Sequence, residues 1–236
     1  MQYDNSNFHQ CFLLSMPRSG STFLSRMLDR NTFLACPPES WLIIFFHHIL
    51  NQDKKSPPFG INSCYLGAMG FLLEYEDIFL KFIKELSKEE LYLLIPDTIP
   101  DPENNINKKI TELVILCFNK HLEKRNKNIF IDKTPRNYTK IEYIDKYFHD
   151  NKKIYLRRNP YDIAQSYMNT WGIDIDHLTG QTKTSEFSRD FSEGLLKLEK
   201  YFETPRPNHL IIDYEDLIKN NEECLFRICD FLSIAY

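Results

Sequence analysis

What the chain lacks already removes several classes of function. Nowhere in its 236 residues is there an apolar run of the length that a bilayer-crossing helix needs, about 20 residues. The apolar stretch 12–16 is too short for that role or for the core of a signal peptide, and no basic segment leads into one. We therefore expect no membrane span and a cytoplasmic location. Cys-x-x-Cys is also absent. Cys11, Cys36, Cys64, Cys117, Cys224 and Cys229 are scattered, which reads as reduced, packed thiols and not as a metal centre. The net charge of −4 leaves no basic excess for general nucleic-acid binding, so no nucleic-acid partner is expected. No internal repeat or low-complexity tract interrupts the chain.

What remains suits an α/β enzyme. Hydrophobic residues make up 42% of the chain, and 236 residues suffice for one sizeable core. Residues 12–16, 33–36, 129–132, 153–157 and 210–214 have the apolar character of buried strands, with helical patterns between most of them. That alternation predicts a parallel sheet of about five strands flanked by helices, within one domain covering residues 1–236. Residues 50–128 form an insertion of helical character, broken at Pro57-Pro58 and at Ile99-Pro100-Asp101-Pro102, with a long helix over 108–124. Such an insertion is a natural place for substrate specificity.

The first strand ends in Pro17-Arg18-Ser19-Gly20-Ser21-Thr22, and a helix restarts over about 21–29 with Phe23, Leu24, Met27 and Leu28 as its apolar stripe. A strand, a tight loop and a helix start aim unpaired backbone N–H groups at one point, which suits a phosphate or sulfate. Arg18 adds fixed charge, and Ser19, Ser21 and Thr22 add hydroxyls. The loop resembles an ATP-binding P-loop but departs from it. Aligned on Gly20, that pattern needs glycine at Ser15 and lysine at Ser21, and neither is there. No good Walker-B strand follows, so magnesium-dependent ATP chemistry is disfavoured. A polar turn that holds no ligand is the plainer reading of this loop taken alone.

A second strand-to-helix junction spans 152–166. Arg158 closes the strand, Asn159-Pro160 turns the chain, and Ser166 lies eight residues after Arg158, about two helical turns on. The two side chains can grip one phosphate from two sides. The bland alternative is an Arg158 that pairs with Asp162.

Together, the two junctions resemble those of the sulfotransferases that use 3′-phosphoadenosine 5′-phosphosulfate (PAPS). In that family the first loop holds the 5′-phosphosulfate, and the arginine and serine of the second hold the 3′-phosphate. Two further segments resemble the family in order: Ile131-Asp132-Lys133-Thr134-Pro135-Arg136, and Ile211-Ile212-Asp213-Tyr214-Glu215-Asp216-Leu217. The resemblance implies a P-loop NTPase-like fold and transfer of a sulfuryl group from PAPS, with no metal required. The acceptor would be a hydroxyl of a carbohydrate, a lipid-linked glycan or a small metabolite. It implies that Arg18, Ser19, Gly20, Ser21, Thr22, Arg158 and Ser166 bind the donor, with Arg157 adding local charge. Arg18 and Lys133 would neutralise charge at the transferring group. Glu39, in Cys36-Pro37-Pro38-Glu39-Ser40-Trp41, falls where relatives carry a catalytic base, and burial beside Trp41 would raise its pKa.

Plainer roles stay open for several of these residues. Glu39 also suits the first turn of a helix, and Lys133 a solvated strand end. His47-His48 face different directions on a helix and make a poor chelating pair. Asp174-x-Asp176-His177 is most simply a solvated loop. Trp171 and Tyr167 fit a pocket wall and an ordinary core equally well. A nucleotide kinase-like phosphotransferase and a non-catalytic nucleotide-binding module on the same fold remain alternatives, and a homodimer stays open. A C-terminal helix over 216–232, with Leu217, Cys224, Leu225, Ile228 and Leu232 on its apolar side, runs nearly to the last residue. The basic, glycine-containing tail with which many relatives cover the 3′-phosphate is not in this sequence, which leaves three expectations open: a more open donor site, one completed by another subunit, or a shortened chain.

Overall fold

A computed structural model of the chain describes residues 9–50, 61–74, 102–181 and 186–236. Five parallel strands form one sheet: β1 (His9–Ser15), β2 (Leu34–Ala35), β3 (Ile129–Asp132), β4 (Lys152–Arg157) and β5 (His209–Asp213), in the order β2-β3-β1-β4-β5. β1 is central, pairing Cys11 with Ile131 on one side and with Lys152 on the other. A central parallel strand is covered on both faces, which is why Cys11 to Leu14 form an unbroken buried run. Alternate residues then serve two cores. Phe12, Leu14 and Met16 join the core that contains Phe130 and Tyr155, while Cys11 and Leu13 join the one that contains Leu24, Ile131 and Ile154.

Helices close both faces. The first face carries α2 (Leu42–Leu50), α3 (Ile61–Leu73) and α4 (Pro102–Arg125), whose Ile110, Leu113, Cys117 and Phe118 are fully buried. The helix expected over 108–124 is therefore present and starts earlier, with Pro102 at its first position. The breaks at Pro57-Pro58 and 99–101 lie outside the described residues. The opposite face carries α1 (Ser21–Leu28) and the C-terminal helices. Between β3 and β4 lies α5 (Ile141–Tyr147), and α8 (Glu186–Arg189) and α9 (Leu195–Phe202) precede β5. Among the described residues no helix is long and apolar enough to cross a membrane.

Several expected details shift. β1 begins at His9, because the polar pair His9 and Gln10 still finds Ile129 and Phe130 across the ladder. The strand expected over 33–36 shrinks to two residues, and the Phe33 carbonyl instead accepts from the N–H groups of Asn128 and Ile129. In α1 the buried face is Ser21, Leu24, Ser25 and Leu28, whereas Phe23 is 44% exposed. The serines let the helix approach the sheet, and Ser25 Oγ donates to the Thr22 carbonyl. The C-terminal helix breaks at Asn220 (φ −132°), giving α10 (Tyr214–Lys219) and α11 (Asn221–Leu232). Leu217, Cys224, Ile228 and Leu232 are nonetheless buried as expected. Among the described residues Cys11, Cys36, Cys117, Cys224 and Cys229 are free and buried, and burial pushes the Cys11 thiol up to about 12.

Candidate active site

The loops after the parallel strands gather at the C-terminal edge of the sheet, around a cavity of about 560 Å³. The loop after β1 is closed by the Ser19 N–H, which donates to the Met16 carbonyl at 3.2 Å. Gly20 follows at φ +88° and caps α1, its carbonyl accepting from the N–H groups of Phe23 and Leu24. Arg18 itself sits in left-handed conformation at φ +69°, an uncommon state for a residue with a side chain. The sharp backbone turn points the start of α1 into the cavity.

Arg18 then reaches across to α6 (Pro160–Trp171). Its Nε donates to Ser166 Oγ at 3.1 Å and its Nη2 to Thr170 Oγ1 at 2.9 Å, with the guanidinium 5.4 Å from the Trp171 ring centroid. Arg158 comes the other way: its Nη1 donates to the Arg18 carbonyl at 2.9 Å, and its guanidinium lies 4.4 Å from the Tyr214 ring. Asp162 is not its partner. Two strand-to-helix junctions expected from sequence to share one ligand are thus joined directly.

The remaining two predicted residues meet at the cavity wall, which Glu39 lines and behind which Lys133 is buried. Lys133, which directly follows β3, is only 4% exposed, and its Nζ donates to Glu39 Oε1 at 3.1 Å and lies 3.5 Å from Thr22 Oγ1. Two loops and the first turn of α1 therefore supply a carboxylate, an ammonium and a hydroxyl within one hydrogen-bonded group. The Glu39 side chain is 33% exposed, so it is only partly buried.

Arg18, Gly20, Ser21, Thr22, Glu39, Arg158 and Ser166 all line the cavity. Ser19 lies beneath it, buried. Arg157 belongs elsewhere: it forms a two-pronged pair with Asp213, its register partner on β5, at 2.6 and 3.1 Å. Trp171 is 43% exposed on the cavity wall, while Tyr167 is fully buried. Asp174 caps a short helix, α7 (Ile175–Thr179), by accepting from the His177 N–H, which accounts for that acidic cluster. His47 is buried edge-on to Tyr143, and burial lowers its pKa to about 3.

Arg136, Tyr214 and Phe187 line the cavity with no site role expected from the sequence, and Trp41, expected there only as the neighbour of Glu39, joins them. Arg136 is tied to Asp190 by Nε at 2.9 Å and Nη2 at 2.6 Å, and stands 6.0 Å from the Trp41 ring. Arg136 and Tyr214 lie inside segments already singled out from the sequence. Nothing near Phe187 marked it.

The cradle was tested for its fit to a phosphate-bearing ligand. Ser19 Oγ and Arg158 Nε are buried and have no hydrogen-bond partner. Buried donors are normally satisfied, so both suit a ligand oxygen. A side chain at residue 20 would collide with Tyr214, which keeps the backbone bare at that point. The residues fit.

A family model for sulfotransferases matches residues 10–236. The chain belongs to the sulfotransferase family. Nodulation protein NoeE of Sinorhizobium fredii (strain NBRC 101917 / NGR234) is 27% identical over 232 residues, covering 92% of this chain and 48% of that protein. The chain thus spans about half the length of this relative. Two solved structures share the fold. The sulfotransferase domain from the curacin biosynthetic pathway has a TM-score of 0.60 at 22% identity, covering 97% of this chain and 75% of that one. The sulfotransferase domain from the Synechococcus PCC 7002 olefin synthase has a TM-score of 0.57 at 21% identity, covering 100% and 77%.

Proposed function

We propose that the chain transfers a sulfuryl group from PAPS to a hydroxyl of a carbohydrate, a lipid-linked glycan or a small metabolite, leaving adenosine 3′,5′-bisphosphate. The contact that carries this proposal is Lys133 Nζ, 3.1 Å from Glu39 Oε1 and 3.5 Å from Thr22 Oγ1. A base, a cation and a loop hydroxyl are what an in-line transfer needs on the acceptor side and on the leaving-group side. PAPS, when bound, supplies the activated sulfuryl group.

The chain's own residues do the rest. The backbone N–H groups of residues 20–22 bind the 5′-phosphate, the Ser19 N–H being held by the Met16 carbonyl, and the Thr22 hydroxyl adds a donor. Arg158 and Ser166 hold the 3′-phosphate, with Ser19 Oγ and Arg158 Nε gaining the partners they lack. Glu39 takes the proton from the acceptor hydroxyl. Lys133 and Arg18 face the charge that develops on the leaving phosphate and the transferring group. Trp41, Trp171 and Phe187 offer flat apolar surface to the acceptor, which suits a ring with one apolar face. We further assign residues 1–236 to one cytoplasmic domain, with the insertion of residues 50–128 on the acceptor side.

Calorimetric binding of adenosine 3′,5′-bisphosphate, beside ADP and ATP–magnesium, tests the donor site. Affinity is expected to require the 3′-phosphate and to fall about tenfold or more in Arg158→Ala, as for loss of a charge-assisted hydrogen bond. Equal binding of ATP–magnesium that ignores Arg158 would return the chain to the nucleotide kinases. Tight donor binding without transfer to any acceptor would make it a binding module.

A further inference from the structure

Asp132 ends β3, one residue before Lys133, and is 1% exposed. Its Oδ1 accepts from Ser40 Oγ at 3.0 Å and from Thr134 Oγ1 at 2.9 Å, and its Oδ2 accepts from Asn137 Nδ2 at 2.8 Å. Both hydroxyls are themselves acceptors. Thr134 Oγ1 takes the Trp41 N–H at 3.2 Å, and Ser40 Oγ takes the Leu42 N–H at 3.4 Å. A hydroxyl that accepts one bond keeps its proton for another partner. A directional chain therefore runs from the backbone at the start of α2, through two hydroxyls, to one carboxylate at the end of β3.

The segment held in this way is strained. Trp41 sits at φ +56°, a left-handed state that is costly for a bulky side chain and persists only where the surroundings enforce it. α3 leaves room for its ring: a Cβ at Gly67 would come within 2.3 Å of Trp41 Cδ1. Glu39 lies two residues before the strained point. Burial raises the pKa of Asp132, and its three side-chain donors oppose that shift. If stability alone were at stake, an apolar residue would serve as well or better. A buried carboxylate with three matched donors fixes one geometry instead.

We propose that Asp132 is a positioning residue for the Glu39–Lys133 pair, anchoring the turn of residues 39–41 to the end of β3 so that the buried Lys133 ammonium stays in contact with the Glu39 carboxylate at the cavity wall. This rests on the sulfotransferase reading, with Glu39 as base. Asp132 touches no ligand; it acts through Ser40 and Thr134.

The test needs no identified acceptor. PAPS labelled in its sulfuryl group is turned over with water as acceptor by the full chain. Water oxygen bonds to sulfur, the bond from sulfur to the bridging oxygen breaks, the water proton passes to Glu39, and adenosine 3′,5′-bisphosphate leaves with free sulfate as co-product. Asp132→Asn is expected to lower kcat about tenfold, since small misplacement of a reacting group is costly. KM and the affinity for adenosine 3′,5′-bisphosphate should stay within about twofold. Ser40→Ala, which removes one strut and leaves two donors, should act the same way less severely, and it carries the test if Asp132→Asn does not fold. In a Glu39→Gln background neither substitution should lower kcat further. An undiminished loss in that background, or a loss that falls on KM and affinity, would overturn the positioning role while leaving the function intact. A wild-type chain that neither binds adenosine 3′,5′-bisphosphate nor releases sulfate would overturn the functional reading itself, and the positioning role with it.

Discussion

Tyr214 occupies the space that a side chain at residue 20 would need: a Cβ on Gly20 would lie 2.3 Å from Tyr214 Cε2 and 2.6 Å from Cδ2. The same ring lies 4.4 Å from the Arg158 guanidinium. One aromatic at the start of α10 thus sets both the height of the anion loop and the seat of the arginine expected on the 3′-phosphate. Gly20→Ala meets that ring and must also hold φ +88°. It is expected to cost about 1–3 kcal/mol, the usual range for a residue forced into left-handed backbone. Thermal melting should drop accordingly, and calorimetry should show weakened binding of adenosine 3′,5′-bisphosphate. Unchanged melting would mean that the ring yields freely and sets nothing.

Glu39 and Lys133 are in direct contact, so their contributions should not add. Lys133→Met keeps the buried stem and removes the ammonium, and kcat for donor turnover is expected to fall about 10²–10³-fold, as for loss of one preorganised donor. Glu39→Gln keeps the shape and removes the base, with an expected loss of about 10²–10⁴-fold. The double variant should be little worse than the poorer single one, because groups that act as a unit are not additive. Losses that multiply in the double variant would separate the two residues into independent roles.

Much of this site is legible in the sequence because its parts are local. The loop of residues 17–22 and the pair Arg158 and Ser166 each lie within one strand-to-helix junction, where spacing alone fixes which side chains point together. The direct link between those junctions, from Arg18 to Ser166 and Thr170, spans about 150 positions, and no local pattern encodes it. The same holds for Asp132 and Ser40, 92 residues apart. Arg157 misleads for a related reason. Its neighbour Arg158 faces the cavity, but successive positions along a strand point apart, and the register of β4 with β5 delivers Arg157 to Asp213. In α1, apolar spacing favours Phe23 and Met27, yet close approach to the sheet selects the small Ser21 and Ser25.

Stability should rise with pH across the mildly acidic range. Burial lowers the pKa of His47 from 6.5 to about 3 and of His121 from 6.5 to about 4, so both are neutral in the fold. Below the ordinary value the unfolded chain takes up protons that the folded chain refuses, and the balance moves towards unfolding. Their contribution is therefore complete above about pH 6.5 and is lost as pH falls towards the folded values, by about 1.4 kcal/mol per unit for each group. Melting temperatures between pH 4 and pH 7 should show that slope. His121→Phe, which keeps a ring between Phe71 and Phe130, should flatten it. An unchanged slope in His121→Phe would remove this histidine from the account.

Asp190 lies fully buried in a π-helical turn, Asp190–Gly194, which widens the helix that follows residues 186–189. Its Oδ2 accepts from Arg136 Nε and Nη2, and its Oδ1 from the Tyr138 hydroxyl at 2.7 Å. Residue 194 must be small here, since a Cβ there would stand 2.7 Å from Tyr138 Cζ. Arg136 lines the cavity, so this carboxylate holds part of the wall from behind. Asp190→Ala removes the fully buried carboxylate that accepts from both Arg136 and Tyr138 and is expected to cost about 3–5 kcal/mol. For a chain of this size that is a fall in Tm on the order of 10 °C. Replacing both partners, Arg136→Met with Asp190→Leu, should recover much of that loss, because an apolar pair carries no desolvation penalty. If the double variant melts as low as Asp190→Ala alone, the loss comes from the π-turn or from the Tyr138 contact and not from the broken Arg136–Asp190 pair.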